Sequence, residues 1–260
     1  MSKLLSVSNL CITDTRSHKT LVHNLSFELE EGETLGIIGE SGSGKSLSCK
    51  AILGLLDPYL HVEGSIVFEN EELVGCREER LRAIRGKKIA LIVQNALGAF
   101  DPLSRIEVHM MESLGERMRA SLARECSEHW LAMMGLDAKR VMSAYAHELS
   151  GGMLQRVMIA LALAQETKLI IADEPTSALD VIHQRMIIEH LKTIQKSFVC
   201  VSHDLGVIAY VADKTLVMKE GTGVEYQPTA SLFDAPQHPY TRYLIESRAM
   251  LSKRFMQCFR

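Results

Sequence analysis

A glycine-rich segment of eight residues limits what this chain can fold into more than any other feature. It has the pattern G-x-x-x-x-G-K-[ST] and consists of Gly39, Glu40, Ser41, Gly42, Ser43, Gly44, Lys45 and Ser46. Residues 34–38 before it predict a buried strand, and residues 47–56 after it predict a helix. In that setting the N–H groups of the loop and the helix N-terminus cradle phosphates. We therefore predict a polyphosphate site, with Lys45 on the β- and γ-phosphate oxygens and Ser46 on Mg²⁺, against the alternative of a glycine-rich turn beside a solvated lysine.

The composition is that of a globular protein with a buried core. Of 260 residues, 47% are apolar and 23% are charged, and the length suits one large domain or two small ones. The net charge of −3 lacks the basic excess of most nucleic-acid-binding proteins, so we expect no nucleic-acid partner. Six cysteines without a C-x-x-C pair favour reduced thiols in a cytosolic protein over a disulfide framework or a zinc site.

No segment of the sequence predicts export or membrane insertion. No charged stretch followed by an apolar run opens the chain, so we expect that it is not secreted. The longest apolar run, residues 157–164, is too short to span a bilayer. If the protein acts at a membrane, we expect another chain to hold it there.

Apolar periodicity alternates between strands and helices along the chain. Predicted strands occupy residues 4–12, 25–29, 34–38, 65–68, 89–93, 168–173, 198–201 and 215–218. Predicted helices occupy residues 110–122, 127–134, 153–165 and 181–195. The alternation predicts an α/β core, and the helical block between Gln94 and Asp173 predicts a second lobe.

Two carboxylates end the apolar strand that is predicted at residues 168–173. Asp173 at a strand end near a phosphate loop is suited to hold Mg²⁺. Glu174 points elsewhere and could polarise, or take a proton from, an attacking water. The alternative is an exposed Asp-Glu pair in a loop.

A third motif is the start of the helix that follows Leu149. Ser150 is an N-cap candidate, and Gly151 and Gly152 expose backbone N–H groups there, which predicts a second anion site. A capped helix without a ligand is the alternative.

The phosphate loop, residues 149–152, the pair Asp173-Glu174 and residues 202–204 occur in an order that resembles the nucleotide-binding subunits of ABC transporters. The resemblance covers nearly the whole chain. It implies an α/β fold: a P-loop (RecA-like) core with an N-terminal antiparallel β-subdomain and a helical subdomain inserted at about 95–166. The ATP-binding domain would then span residues 1–228 and a short C-terminal extension residues 229–260.

The same resemblance implies a role for each motif residue. Two such domains pair head to tail and enclose ATP, with the phosphate loop of one facing Ser150, Gly151 and Gly152 of the other. Glu174, His203, Lys45 and Gln94 would be catalytic, while Ser46, Gln94 and Asp173 would hold Mg²⁺. Asp180, in the loop 177–180, would cross the interface toward ATP.

Within this family, several segments resemble the branch that imports peptides and nickel. They are residues 94–103, residues 237–242 and Met153, which stands where most members carry glutamine. The resemblance implies ATP hydrolysis that drives import of nickel or a metal chelate, with peptide import as the alternative. It also implies a second ATPase subunit (identical or paralogous), two permease subunits, an extracytoplasmic solute-binding protein, and a position on the cytoplasmic face of the cell membrane.

One departure from the family concerns adenine, which many members stack on an aromatic residue near the N-terminal strands. No aromatic residue precedes Phe27 here, so Arg16 and His18 are the candidates to replace it. Other classes also remain open: a non-transport ABC ATPase that acts on DNA or ribosomes, a small P-loop kinase or GTPase, and a regulatory ATP-binding module.

Overall fold

A computed structural model describes residues 3–115, 118–193 and 196–247. In these ranges the strands are β1 (Lys3–Asp14), β2 (Lys19–Glu30), β3 (Thr34–Gly39), β4 (Leu60–Phe68), β5 (Glu71–Glu72), β6 (Ile89–Ile92), β7 (Leu169–Asp173), β8 (Ser197–Val201), β9 (Lys214–Lys219) and β10 (Thr222–Pro228). The α-helices are α1 (Lys45–Ile52), α2 (Glu78–Ile84), α3 (Ile106–Gly115), α4 (Ala120–Met133), α5 (Ala138–Ser143), α6 (Gly151–Ala164), α7 (Val181–Thr193), α8 (Leu205–Val211) and α9 (Thr229–Asp234). Residues 239–247 are also helical.

The chain divides into two compact units. One consists of residues 1–84 and 195–260, and the other of residues 85–194. No helix within the described ranges is both long enough and apolar enough to cross a membrane.

The first unit holds a sheet in which the strands follow the order β5-β4-β1-β2-β10-β9-β3-β8. Its N-terminal part is antiparallel, with β1 between β2 and β4. On β2, Leu25, Phe27 and Leu29 are buried while Ser26 and Glu28 are exposed. This alternation is the half-buried antiparallel pattern that the sequence predicted, because successive side chains point to opposite faces of a strand.

The other part of this sheet is built on β3, which pairs in parallel with β8 on one side and β9 on the other. Leu35, Ile37 and Ile38 on β3 are fully buried, as expected for a strand that is covered on both faces. Since the strands are parallel, the segments that follow β3 and β8 leave the sheet at the same edge.

The second unit combines the parallel pair β6–β7 with helices α3 to α7. Its most buried helix is α6, on which Val157, Ile159 and Ala160 have no exposed surface. This helix packs against α3, α4 and β6, so most of its surface is buried, which accounts for its nearly continuous apolar sequence.

Two of the predicted helices differ from the structure. The helix predicted to run to residue 56 ends at Ile52, because the Leu55 N–H turns back to the Lys50 carbonyl (2.9 Å) around Gly54, whose φ is +59°. The single helix predicted for residues 110–122 is wrong: Arg119 has an extended backbone and caps the separate helix α4. Residues 116–117, at this break, lie outside the described residues.

Strand β10 was missed because its sequence contains glycine, proline and polar residues and lacks apolar alternation. The helix predicted for residues 181–195 is described to Thr193, and its last two residues lie outside the described ranges. The predicted bounds of the ATP-binding domain, of its helical subdomain and of the C-terminal extension stay predictions, and residues 248–260 of that extension are not described.

Candidate active site

The glycine loop of the first unit has the strand–loop–helix setting that the sequence predicted. It leaves β3 at Gly39 and enters α1 at Lys45. Gly39 has φ +154°, and a Cβ atom there would lie 2.2 Å from the Met218 carbonyl oxygen, so the position excludes a side chain. The loop therefore presents its backbone at a helix N-terminus, where N–H groups without intrahelical partners favour an anion.

Lys45 is buried at the mouth of this loop. Its ammonium group donates to the carbonyl oxygens of Gly39 (3.0 Å) and Glu40 (2.8 Å) and lies 3.4 Å from the Ser43 hydroxyl. Only 8% of the residue is exposed. A cation that is held among neutral dipoles in a dry environment attracts a polyphosphate more strongly than a solvated lysine would.

His203 lies at the same sheet edge as the glycine loop, and both belong to the first unit. The register aligns Ile37 on β3 with Val201 on β8, and the Ser202 N–H donates to the Ile37 carbonyl at 3.3 Å. His203 itself is exposed. The next residue, Asp204, caps α8 by accepting from the Gly206 N–H at 2.8 Å, which fixes the turn that carries the histidine.

Gln94, Asp173 and Glu174 come together in the second unit. Ile92 on β6 pairs with Ala172 on β7, and because the strands are parallel the three side chains follow the same edge. Asp173 and Glu174 are both buried, whereas Gln94 is exposed.

Two details single out these carboxylates. The Asp173 Oδ1 atom is buried and has no hydrogen-bond partner among the described residues, as expected of an oxygen whose partner is a cation. Glu174 has a left-handed backbone with φ +53°, a strained conformation for a residue with a side chain. Other residues of the chain, such as Glu69 and Glu220, have the same conformation in turns, so the strain of Glu174 gains weight only from its burial beside Asp173.

The start of α6 carries the second candidate anion site. The Ser150 hydroxyl accepts from the Met153 N–H at 3.3 Å, so the serine is the N-cap that the sequence predicted. Gly151 is exposed and Gly152 is half-buried. The first-turn N–H groups at this end lack intrahelical partners and are available to an anion.

Asp180 has a local role in the structure, as the residue that precedes α7. Its carboxylate accepts from the N–H groups of Ile182 and His183, both at 3.1 Å, and lies 2.7 Å from the His183 ring nitrogen Nδ1. These hydrogen bonds hold the pKa of Asp180 below its ordinary value. The bond from the His183 backbone N–H has the largest effect, and the bond from the His183 ring comes next. The predicted role of Asp180 at a dimer interface stays a prediction.

Sequence reasoning missed Gln155, which is fully buried on α6. Its side-chain amide donates to the Pro175 carbonyl at 3.1 Å and faces the Val93 carbonyl at 3.5 Å. Pro175 follows Glu174, and Val93 precedes Gln94, so one side chain ties together the two strand exits that carry these candidates. An uncharged polar residue in the second turn of a mostly apolar helix was the available signal.

Arg156 was missed as well. Its guanidinium is buried and donates to the carbonyl oxygens of Gly152 (3.3 Å), Met134 (3.1 Å) and Gly135 (3.2 Å). Burial lowers the pKa of Arg156, and the charge of Asp180 opposes that shift. Because one acceptor is Gly152, the arginine fixes the backbone of the candidate anion site at the start of α6.

Near the β1–β2 turn, the Arg16 guanidinium carbon lies over the Tyr59 ring, 3.4 Å from its centroid. The Tyr59 carbonyl accepts from the Thr15 N–H at 2.9 Å, which holds the ring against this turn. The sequence proposed Arg16 and His18 as replacements for an adenine-stacking aromatic residue, and this stays a prediction.

Comparisons with known proteins agree with these features. A family model described as ABC transporter matches residues 22–177. The metal-staphylopine import system ATP-binding protein CntD of Staphylococcus aureus is 42% identical over 266 residues, which cover 99% of this chain and 97% of that protein. The dipeptide transport ATP-binding protein DppD of Bacillus subtilis is 40% identical, over 95% of this chain and 77% of that protein.

A solved structure is also similar: a dimeric ATP-binding cassette in a post-hydrolysis state, bound to ADP and inorganic phosphate. It matches with a TM-score of 0.79 and 28% identity, over 87% of this chain and 99% of that one. The match confirms the predicted P-loop α/β fold, and the sequence relatives are transport proteins, which sets aside the kinase, GTPase and non-transport alternatives. The chain therefore belongs to the ABC transporter family, as an ATP-binding subunit whose ATP hydrolysis is coupled to transport.

Proposed function

We propose that this chain powers the import of nickel or another metal as a chelate complex. The observation that carries the proposal is the 42% identity, along almost the full length of both chains, to the ATP-binding protein of a metal-staphylopine import system. Peptide import is the second candidate, because dipeptide and oligopeptide transport ATP-binding proteins are about as similar, at 40% identity.

The glycine loop and Lys45 bind the triphosphate in this proposal. Lys45 exchanges its contacts with the loop carbonyls for the β- and γ-phosphate oxygens, which is favourable because a charged acceptor replaces neutral ones. The backbone N–H groups at the start of α1 hold the remaining phosphate oxygens. Binding energy from this contact closes two ATPase subunits on the nucleotide.

The residues present also fit Mg²⁺. Asp173 offers a buried carboxylate oxygen without a hydrogen-bond partner in the described part of the chain, and Ser46 and Gln94 offer the neutral oxygens that this ion accepts. We assign these three residues as its ligands. When bound, the ion neutralises charge on the β- and γ-phosphate oxygens.

Glu174 orients or deprotonates the attacking water. Its strained backbone and buried position suit a carboxylate whose direction is fixed before the reaction. His203 and Lys45 stabilise the negative charge that spreads over the γ-phosphate during in-line attack, and Ser150, Gly151 and Gly152 do so from the other subunit of the pair.

The partners follow from the same proposal: a second ATPase subunit, identical or paralogous, two permease subunits and an extracytoplasmic solute-binding protein. The segment 96–107 receives a helix of the permease at the cytoplasmic face of the membrane. Two apolar side chains in it support this assignment, Leu97 with 58% of its surface exposed and Leu103 with 85%.

Metal uptake tests the proposal. Cells carrying Lys45→Ala in place of the native protein are given radiolabelled nickel with a chelator and, in parallel, a radiolabelled dipeptide. We expect lost nickel uptake with intact dipeptide uptake. The matched control is Lys50→Ala on the same helix, an exposed lysine whose removal leaves uptake of both cargos intact.

The other outcomes are equally informative. Loss of dipeptide uptake alone would replace metal import with the second candidate. Unchanged uptake of both cargos would contradict a role of this chain in either import process.

A further inference from the structure

The phosphate loop is tied to the C-terminal part of the first unit by a buried tyrosine. The Tyr240 hydroxyl accepts a hydrogen bond from the Glu40 N–H at 3.1 Å, across 200 positions of sequence. Only 7% of Tyr240 is exposed, and the Lys219 ammonium lies 5.2 Å from the centroid of its ring. The sequence singled out residues 237–242 only for their resemblance to one branch of the family, without a role.

The contact falls on a peptide group that Lys45 also uses. The Gly39 carbonyl and the Glu40 N–H belong to the same peptide group, which is planar and rotates as a unit. Lys45 donates to the carbonyl end at 3.0 Å, while Tyr240 accepts from the N–H end. The tyrosine therefore sets the orientation of the carbonyl against which Lys45 rests.

Tyr240 is itself held in place by a half-buried carboxylate. Glu225 on β10 accepts from the N–H groups of Gln237 (2.9 Å) and His238 (3.0 Å), and the Tyr240 N–H donates to the His238 ring nitrogen Nδ1 at 3.1 Å. Burial raises the pKa of Glu225, but the hydrogen bonds from these two N–H groups outweigh that effect, so the pKa lies below its ordinary value. The group is a carboxylate at neutral pH.

A second contact comes from the turn between β9 and β10. The Gly221 N–H donates to the Ser43 carbonyl at 3.1 Å, and the Gly221 carbonyl accepts from the His23 N–H at 2.8 Å. The β9–β10 turn thus contacts the phosphate loop near the end of the loop, while Tyr240 contacts the loop near its beginning. Two fixed points leave the loop backbone little freedom to reorient.

We propose that Tyr240 is a positioning residue for the phosphate loop, and that the segment 237–242 orients this loop for ATP. The inference rests on the proposed role of the loop and Lys45 in ATP binding. Loss of the tyrosine hydroxyl frees the Gly39–Glu40 peptide group to rotate, so that part of the nucleotide-binding energy is spent on ordering the loop.

The test compares Tyr240→Phe with Tyr243→Phe in the full-length chain. Tyr243 lies in the same helical segment but is exposed. One such hydrogen bond is worth a factor of about three to ten, so we expect Tyr240→Phe to raise the Kd for MgATP by that factor, measured by titration calorimetry well below the unfolding temperature. Tyr243→Phe leaves the Kd unchanged.

Steady-state hydrolysis separates positioning from simple stability. Tyr240→Phe raises KM for ATP and leaves kcat at saturating ATP near the wild-type value, whereas a merely destabilised protein shows a lower kcat and an unchanged KM. A wild-type Kd and KM for Tyr240→Phe would overturn the positioning role of Tyr240 and leave the proposed role of the loop intact. If the wild-type protein does not bind MgATP, the proposed role of the loop fails instead.

A double-mutant cycle tests whether Tyr240 acts through its hydrogen bond with the Glu40 N–H. Glu40→Pro removes the N–H donor, whereas Glu40→Ala keeps it and removes the same side chain. We expect Tyr240→Phe to weaken nucleotide binding in the Glu40→Ala background and to have no further effect in the Glu40→Pro background. Equal effects in both backgrounds would show that the tyrosine acts without this hydrogen bond.

Discussion

The Gln155 side-chain amide donates to the Pro175 carbonyl oxygen over 3.1 Å and faces the Val93 carbonyl at 3.5 Å. One buried side chain of α6 therefore ties together the two strand exits that present Gln94 and Glu174. The two carbonyls lie 62 and 20 positions from Gln155 in the sequence, in opposite directions along the chain.

Gln155→Leu is expected to slow ATP hydrolysis more than it destabilises the protein. The carbonyls lose their donor, but the Gln155 Oε1 atom, buried without a partner among the described residues, is removed as well, so the free energy of unfolding falls by about 1 kcal/mol. Turnover falls on the order of tenfold to a hundredfold because Gln94 and Glu174 shift.

The control for this change is Ile159→Val on the same helix, which removes buried apolar volume but no hydrogen bond. It is expected to lower the free energy of unfolding by about 0.5–1.5 kcal/mol. Urea unfolding and steady-state kinetics provide both measurements. A wild-type kcat for Gln155→Leu would contradict the role of Gln155 as a positioning residue.

Glu174→Gln is expected to bind ATP but to hydrolyse it about 10²- to 10⁴-fold more slowly, because the amide cannot take the proton of the attacking water. The closed dimer then accumulates with ATP trapped in it, which size-exclusion chromatography with radiolabelled ATP detects. Glu166→Gln, an exposed glutamate just beyond the end of α6, is the control and turns over normally. Normal turnover by Glu174→Gln would remove Glu174 from the base role.

The two glycines at the start of α6 are expected to respond differently to alanine. A Cβ atom on Gly152 would lie 3.0 Å from the Ala178 carbonyl oxygen, whereas one on Gly151 meets nothing within 4 Å. Gly151→Ala leaves the free energy of unfolding unchanged or raises it by about 0.5–1 kcal/mol through helix propensity. Gly152→Ala is less stable than that variant by about 1 kcal/mol or more because it is overpacked. If urea unfolding showed the two variants to be equally stable, this would contradict the close approach of the Ala178 carbonyl to Gly152.

Glu225 is expected to make stability depend on pH. Burial raises its pKa, but the hydrogen bonds from the Gln237 and His238 N–H groups have the larger effect and hold the pKa below the ordinary value of 4.5. A depressed folded-state pKa stabilises the fold at pH values above the unfolded-state pKa, and this contribution is lost as the pH falls through the folded-state value.

The measurement is thermal unfolding of Glu225→Gln at several pH values. We expect a lower Tm than wild type at pH 7. The difference shrinks as the pH falls below about 4.5, where the carboxylate of the unfolded chain begins to bind a proton, and is lost once the pH is below the folded-state pKa. The control is Glu220→Gln, which changes an exposed residue between β9 and β10. We expect its Tm to equal that of the wild type at every pH. A Tm difference between wild type and Glu225→Gln that stays constant over these pH values would rule out ionisation of Glu225 as its cause.

Much of the fold could be predicted from local sequence patterns. The strand before the glycine loop, the antiparallel alternation on β2 and the N-cap at Ser150 are each specified by residues close to one another in the chain, so the signal is visible without the rest of the protein. The break at Arg119 and strand β10 were missed because contacts outside those segments decide them.

The sequence alone determined the identity of the glycine loop, the order of the motifs and therefore the family, since these depend on residue type and spacing. Only the tertiary structure showed that Gln155 joins the exits of β6 and β7, that Arg156 holds the Gly152 carbonyl, and that Tyr240 accepts from Glu40. Buried polar groups must find hydrogen-bond partners, but the partner is chosen by proximity in space. A contact across 200 positions leaves no local pattern in the sequence.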